Sequence, residues 1–167
     1  MATLPSAVIG FLDLGRVNVL TVDDSASTQK LLTEVLRGFG VRRVHRAATR
    51  AAALGVLRTC AIDVILVDIM LEGEDGLDLV RDVRASPSPA IASTPILIVS
   101  SHATAPRVIE AGAAGANGFL SKPFAVGMLA KRLGDALSAA AHLRSRSERH
   151  PAGPPAVARS RDYQIEV

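Results

Sequence analysis

Five times along this chain a short strand-like run gives way to a stretch of helical periodicity. That alternation limits the fold more than any other feature. VNVLTV (17–22), VRRVHRA (41–47), DVILV (63–67), PILIVS (95–100) and NGFLS (117–121) read as strands, the second the weakest. DVILV and PILIVS are nearly continuously apolar, as strands covered on both faces are. Between them, Leu31, Leu32, Val35, Leu36 and Phe39 recur at three-to-four spacing behind Ser25, a good N-cap, with Gly38 and Gly40 closing the helix. Thr49 caps a helix carrying Ala53, Val56 and Leu57. Gly76 opens one with Leu77, Leu79, Val80 and Val83 inside. Residues 104–114 read as helical, and SPSPAIAST (86–94) as a loop. Pro123 is expected to start the last helix, with Val126, Leu129, Leu133, Leu137 and Leu143 on its apolar face. Strand and helix in such alternation imply an α/β domain, a parallel sheet with helices on both faces.

Composition narrows the rest. Apolar residues make up 49% of the 167 positions but aromatics only 3%, so the core must be aliphatic. The net charge of +3 is weak evidence for a nucleic-acid partner, and direct DNA binding is not expected. A single cysteine, Cys60, excludes a disulfide framework within the chain and reads as packing. MATLPSAVIGFLDLG lacks the basic start of a signal peptide, and no apolar run reaches membrane-spanning length. The expected location is the cytoplasm. Residues 1–16 read as a leader, 17–143 as the domain and 144–167 as a disordered tail rich in Arg and Pro.

An open parallel sheet places its function at the carboxyl ends of its strands. Here those ends are Asp23-Asp24, Asp68, Ser100 and Ser121-Lys122. Three carboxylates in one cleft repel, and a divalent cation relieves them. Oxygen ligands with open water positions suit Mg²⁺. A carboxylate can attack phosphorus to give an aspartyl phosphate, and Mg²⁺, Lys122 and the Ser100 hydroxyl would stabilise the transferring group. The scattered histidines His45, His102, His142 and His150 have no metal-ligand spacing.

VDDS (22–25), VDIMLEGEDGL (67–77), PILIVSS (95–101) and FLSKPF (119–124) together resemble the receiver domain of bacterial two-component response regulators. Each piece alone is weak. All four in order, each at a strand end, are specific. The resemblance covers about Val17 to Leu143 and implies a flavodoxin-like (βα)5 three-layer sandwich with a five-stranded parallel sheet in the order 2-1-3-4-5. It implies Asp68 as phosphoacceptor and metal ligand, Asp24 as a direct ligand of Mg²⁺, Asp23 as the acidic neighbour that binds the metal largely through water, and the Met70 backbone carbonyl as completing the shell. It implies Ser100 and Lys122 as the groups that meet the phosphoryl oxygens, Ser100 and Phe119 as the switch pair, and a cis Lys122-Pro123 bond. Two positions depart from the family's habit: Glu72 stands where proline is usual, and Ser101 where Ala or Gly is usual.

The expected function is therefore a stand-alone, chemotaxis-regulator-like switch. It is not an enzyme on other substrates, since it catalyses only its own phosphorylation and dephosphorylation. Its phosphoryl donor would be a phosphohistidine on a sensor kinase or phosphotransfer protein. Its output would be a downstream target protein, or a homodimer through the face of the fourth helix, fifth strand and fifth helix. The rival reading is a binding module that keeps the fold and ignores phosphate.

Overall fold

The computed structural model describes residues 13–149, with side chains described as far as His142. A 3-10 turn, Leu14–Arg16, precedes β1 (Asn18–Val22). Then follow α1 (Ala26–Gly38), β2 (Arg43–Ala47), α2 (Arg50–Thr59), β3 (Val64–Val67), the short pair β4 (Met70–Leu71) and β5 (Glu74–Asp75), and α3 (Gly76–Arg84). The chain continues through α4 (Pro89–Ala92), β6 (Ile96–Ser100), α5 (Ala105–Ala114), β7 (Gly118–Ser121) and α6 (Val126–Arg149).

Five strands form one parallel sheet in the order β2-β1-β3-β6-β7. Counting only those strands, this is the expected order 2-1-3-4-5. Successive side chains of a strand point to opposite faces, so an all-apolar strand feeds two cores. Ile65 and Val67 of β3, Ile96 and Ile98 of β6 and Phe119 of β7 pack on one side with α2, α3 and α5, through residues such as Leu57, Leu79, Val80 and Val108. Val64 and Leu66, Leu97 and Val99, and Leu120 pack on the other side with Leu32 and Leu36 of α1 and Leu129, Leu133 and Leu137 of α6. The continuous runs in the sequence are the two faces of one sheet read alternately.

Three local differences from the sequence expectation have plain causes. The last helix begins at Val126, three residues after Pro123. Lys122 is held to the sheet, its N–H donating to the Ser100 carbonyl at 2.9 Å, so the chain must turn before a helix can start. The helical ladder opens at the Ala125 carbonyl, which accepts from Met128 at 2.9 Å. The Pro/Ser segment holds a single helical turn, α4, with proline in its first position, where a missing N–H costs nothing. The acidic turn after Asp68 is a two-residue-per-strand hairpin, β4 with β5, turned by Gly73 at φ +72°. Two-residue strands are too short to show alternation. Among the described residues, no helix is long and apolar enough to cross a membrane. Two expected bounds shift: Leu14–Arg16 of the expected leader fold as a 3-10 turn with Leu14 buried, and residues 144–149 of the expected disordered tail continue α6. The rest of the leader, the side chain of Leu143 and the tail after Arg149 lie outside the described residues.

Candidate functional site

Asp68 follows β3 directly, and four groups converge on its carboxylate and backbone. Its N–H donates to the Val22 carbonyl of β1 at 2.9 Å, which fixes where the side chain leaves the sheet. Its Oδ1 accepts from the Ser100 hydroxyl at 2.6 Å and from the Met70 N–H at 3.0 Å. Its Oδ2 accepts from Lys122 Nζ at 2.8 Å. Asp68 is 8% exposed and Ser100 fully buried. A buried carboxylate is tolerable because every one of these contacts offsets lost hydration.

Lys122 bridges two acids. Its Nζ also lies 2.8 Å from Asp23 Oδ2, and Asp23 is only 3% exposed. The Asp23 Oδ1 accepts from Ser25 N–H at 2.8 Å, so both of its oxygens are held. Burial pulls the Lys122 pKa down, but the hydrogen bonds it donates to Asp23 and Asp68, with the attraction of their charges, outweigh it and leave the pKa raised. The ammonium therefore stays charged at neutral pH. The Lys122-Pro123 peptide is cis, as the resemblance implied.

Asp24 is placed differently from its neighbour: it is exposed, beside the site. Among the described residues, no three His, Cys, Asp or Glu side chains are gathered closely enough to hold a metal by themselves. The gathered set is a pair of carboxylates sharing one cation. Phe119 is 6% exposed and belongs to the core with Val108 and Ala111, so its ring already faces inward, and the Ser100 hydroxyl already reaches Asp68. Met70, Glu72, Ser101 and His102 are all exposed around the mouth of the site.

The donor chemistry fits Mg²⁺. Asp23 and Asp68 present anionic oxygens to a common point, as Lys122 Nζ shows by lying 2.8 Å from both, and hard oxygens are what that ion prefers.

Several residues that hold this geometry were not singled out from the sequence. Gln29 of α1 is 6% exposed, with its amide donating to the Asp23 and Ala47 carbonyls. Its signal was there: Leu32, Thr33 and Leu36 lie three, four and seven residues on, so position 29 falls on the buried face. Gly76 packs directly on the Asp68 carbonyl, and a methyl there would collide with it. Arg107 of α5 clamps both oxygens of Asp75, the N-cap of α3, at 2.9 Å each. No local spacing announces that pair.

Comparison with known proteins agrees with this geometry. The family model for the response regulator receiver domain matches residues 19–134. The chemotaxis protein CheY of Pseudomonas aeruginosa is 31% identical over 117 residues, covering 70% of this chain and 93% of that protein. CheY-3 of Vibrio cholerae is 29% identical, covering 70% and 88%. Among solved structures, the chemotaxis response regulator CheY4 of Vibrio cholerae superposes with a TM-score of 0.65 at 32% identity, covering 72% of this chain and 98% of that one. A response regulator from Chloroflexus aurantiacus gives 0.67 at 32% identity, covering 74% and 99%.

Proposed function

This chain belongs to the response regulator receiver family, and from that premise we propose that Asp68 is its phosphoacceptor, with Asp23 and Asp24 as Mg²⁺ ligands alongside it. Members of the family are phosphorylation-dependent signalling switches that act on themselves rather than on a separate substrate. The observation that carries the assignment is the convergence of Lys122 and Ser100 on the two oxygens of one buried carboxylate.

The donor is a phosphohistidine on a sensor kinase or phosphotransfer protein. An Asp68 oxygen attacks phosphorus, the P–N bond breaks as the O–P bond forms, and the leaving imidazole keeps the electron pair and takes up a proton. Mg²⁺, when bound by Asp23, Asp24, Asp68 and the Met70 carbonyl, supplies positive charge to the phosphoryl oxygens. The protein's own groups do the rest. Lys122 already sits at the nucleophile and follows the developing charge onto phosphorus. Ser100 exchanges its carboxylate acceptor for a phosphoryl oxygen. The peptide of Lys122 is tied to Ser100, so a shift of Ser100 is felt at β7.

Phe119 and Ser100 are the switch pair in this reading. Phe119 is buried in the core and the Ser100 hydroxyl reaches Asp68, and phosphorylation acts by biasing the population of this inward arrangement. The output face is α5, β7 and α6, where Ile109 is 65% exposed; a target protein or a second copy docks there.

Intact mass after incubation with Mg²⁺ and acetyl phosphate tests the assignment. The expected result is one phosphoryl group on the wild type and none on Asp68→Asn. If neither acetyl phosphate nor a panel of histidine kinases modifies the wild type, the rival reading of a phosphate-independent binding module replaces this one.

A further inference from the structure

Asp23 and Asp24 are adjacent in sequence and leave the backbone on either side of one peptide plane. Whatever holds that plane sets the directions in which both carboxylates depart. The plane's carbonyl, that of Asp23, accepts from Gln29 Nε2 at 2.7 Å. The same nitrogen donates to the Ala47 carbonyl at 2.6 Å, at the end of β2. The Ala47 carbonyl in turn accepts the Asp23 N–H at 3.1 Å. Gln29 thus grips the peptide carbonyl after Asp23 and the acceptor of the N–H before it.

The amide is itself held. Its oxygen accepts from the Thr21 hydroxyl at 3.1 Å, in the buried interior of β1. The two carbonyls decide which end of the amide faces them, because a flipped amide would set oxygen against oxygen, and the Thr21 hydroxyl, which also lies 3.3 Å from the His45 carbonyl, anchors the other end. The backbone N–H of Gln29 donates to the Ser25 carbonyl at 3.0 Å, and Ser25 N–H donates to the Asp23 carboxylate. A closed ring results: Asp23 carbonyl, Gln29 side chain, first turn of α1, Ser25, Asp23 carboxylate. Asp23 is gripped at its backbone by Gln29 and at its side chain by Ser25 and Lys122.

A glutamine on the buried face of α1 has no packing advantage over leucine or methionine. Both amide hydrogens and the oxygen find partners here, and both carbonyls it meets lie at the carboxyl ends of strands. We infer that Gln29, anchored by Thr21, is a positioning residue for cation binding: it sets the Asp23-Asp24 peptide so that the Asp23 carboxylate enters the site beside Asp68, where Mg²⁺ would bind. This inference rests on the proposed Mg²⁺-dependent phosphorylation, but its test does not depend on phosphorylation.

The test is Mg²⁺ titration by calorimetry of the whole chain as wild type, Gln29→Met, Thr21→Val and Thr21→Ser, with urea midpoints of each in chelator. Gln29→Met retains length and loses the donor. It should weaken Mg²⁺ binding about tenfold, the low end of what loss of a ligand-orienting partner costs. Thr21→Val should weaken it by roughly two- to threefold, because the donors remain but the amide oxygen loses the partner that anchors it. Thr21→Ser retains the hydroxyl and should bind like the wild type. A Gln29→Met protein with a lowered urea midpoint and unchanged Mg²⁺ affinity would overturn the inference, leaving Gln29 as a structural core residue. If Gln29→Met does not fold, Thr21→Val against Thr21→Ser decides, and equal affinities reject the idea. A wild type that binds no Mg²⁺ also rejects it. Phosphoryl gain by mass is read separately: a wild type that binds Mg²⁺ but takes no phosphate from acetyl phosphate or from a panel of histidine kinases ends the phosphoacceptor reading and leaves this one standing.

Discussion

Lys122 and Arg84 are both partly buried cations, and they are held in opposite ways. Lys122 lies between two carboxylates at the open end of the sheet. Arg84, at the end of α3, faces no carboxylate. Its guanidinium donates to the carbonyls of Gly115, Ala92 and Thr94 and to Asn117 Oδ1, all at 2.8 to 2.9 Å. The pKa shifts follow. Burial draws Arg84 down to about 10, whereas Lys122 is raised because its two acids outweigh burial. An ammonium shared by two anions can follow charge from one to another. A guanidinium whose planar fork is saturated by fixed carbonyls has nowhere to go. The first arrangement suits a site where charge moves; the second locks the end of α3 to the loops before β6 and after α5.

Substitution of the two cations should separate chemistry from stability. Lys122→Met should slow phosphoryl gain from acetyl phosphate by on the order of 10²-fold, the usual cost of losing one preorganised charge at a transition state. Arg84→Met should leave that rate within about twofold. A large rate loss in Arg84→Met with the fold intact would break the contrast.

Stability should run the other way. Arg84→Met takes the guanidinium donor from three carbonyls, while Asn117 Oδ1 keeps the Ile96 N–H, and should cost roughly 3 kcal/mol in urea unfolding, with no recovery on adding Mg²⁺. Lys122→Met leaves Asp23 and Asp68 facing each other and should cost about 2–3 kcal/mol, most of which Mg²⁺ restores, since any cation between them serves. Failure of Mg²⁺ to rescue Lys122→Met would mean that the two carboxylates do not share a cation site.

Gly76→Ala sharpens the same boundary. A methyl there meets the Asp68 carbonyl, so the acceptor must shift. The expected result is a phosphorylation rate lowered about tenfold, since small displacements of a reacting group cost that much or more. The smallest effect lies in alkali. Lys122 has a raised folded pKa, so its contribution is complete below about 10.5 and is lost as pH climbs through the folded value. Arg84 has a lowered one, so its buried charge is a penalty that is relieved as pH rises above about 10. Between roughly pH 10 and 12, Lys122→Met should lose stability less steeply than the wild type, and Arg84→Met more steeply. Urea midpoints across that range read both signs.

Much of this was legible in one dimension. Short apolar, β-branched runs and three-to-four spacing identified all five sheet strands and the five longer helices, although α6 starts three residues later than expected and runs six residues past Leu143. The parallel sheet follows from their alternation, and Asp68, Ser100 and Lys122 stand out because a charge or hydroxyl ending an apolar run is a local signal. The single turn of α4 and the β4–β5 hairpin were too short to carry periodicity. The resemblance ranked Asp24 as the direct metal ligand and Asp23 as its neighbour acting through water, but adjacency in sequence says nothing about which side chain enters the protein; the fold buries Asp23 and leaves Asp24 exposed.

What the sequence determined by itself is therefore the set of elements, their order and the residue types delivered to the strand ends, because these depend on spacing within a few residues. What only the tertiary structure decided is how those residues meet. Lys122 reaches Asp23 across 99 positions and Asp68 across 54, Arg84 clasps a carbonyl 31 residues away, and Gln29 reaches a strand end 18 residues away. Contacts of that kind depend on how the helices seat on the twisted sheet, which no short-range pattern encodes.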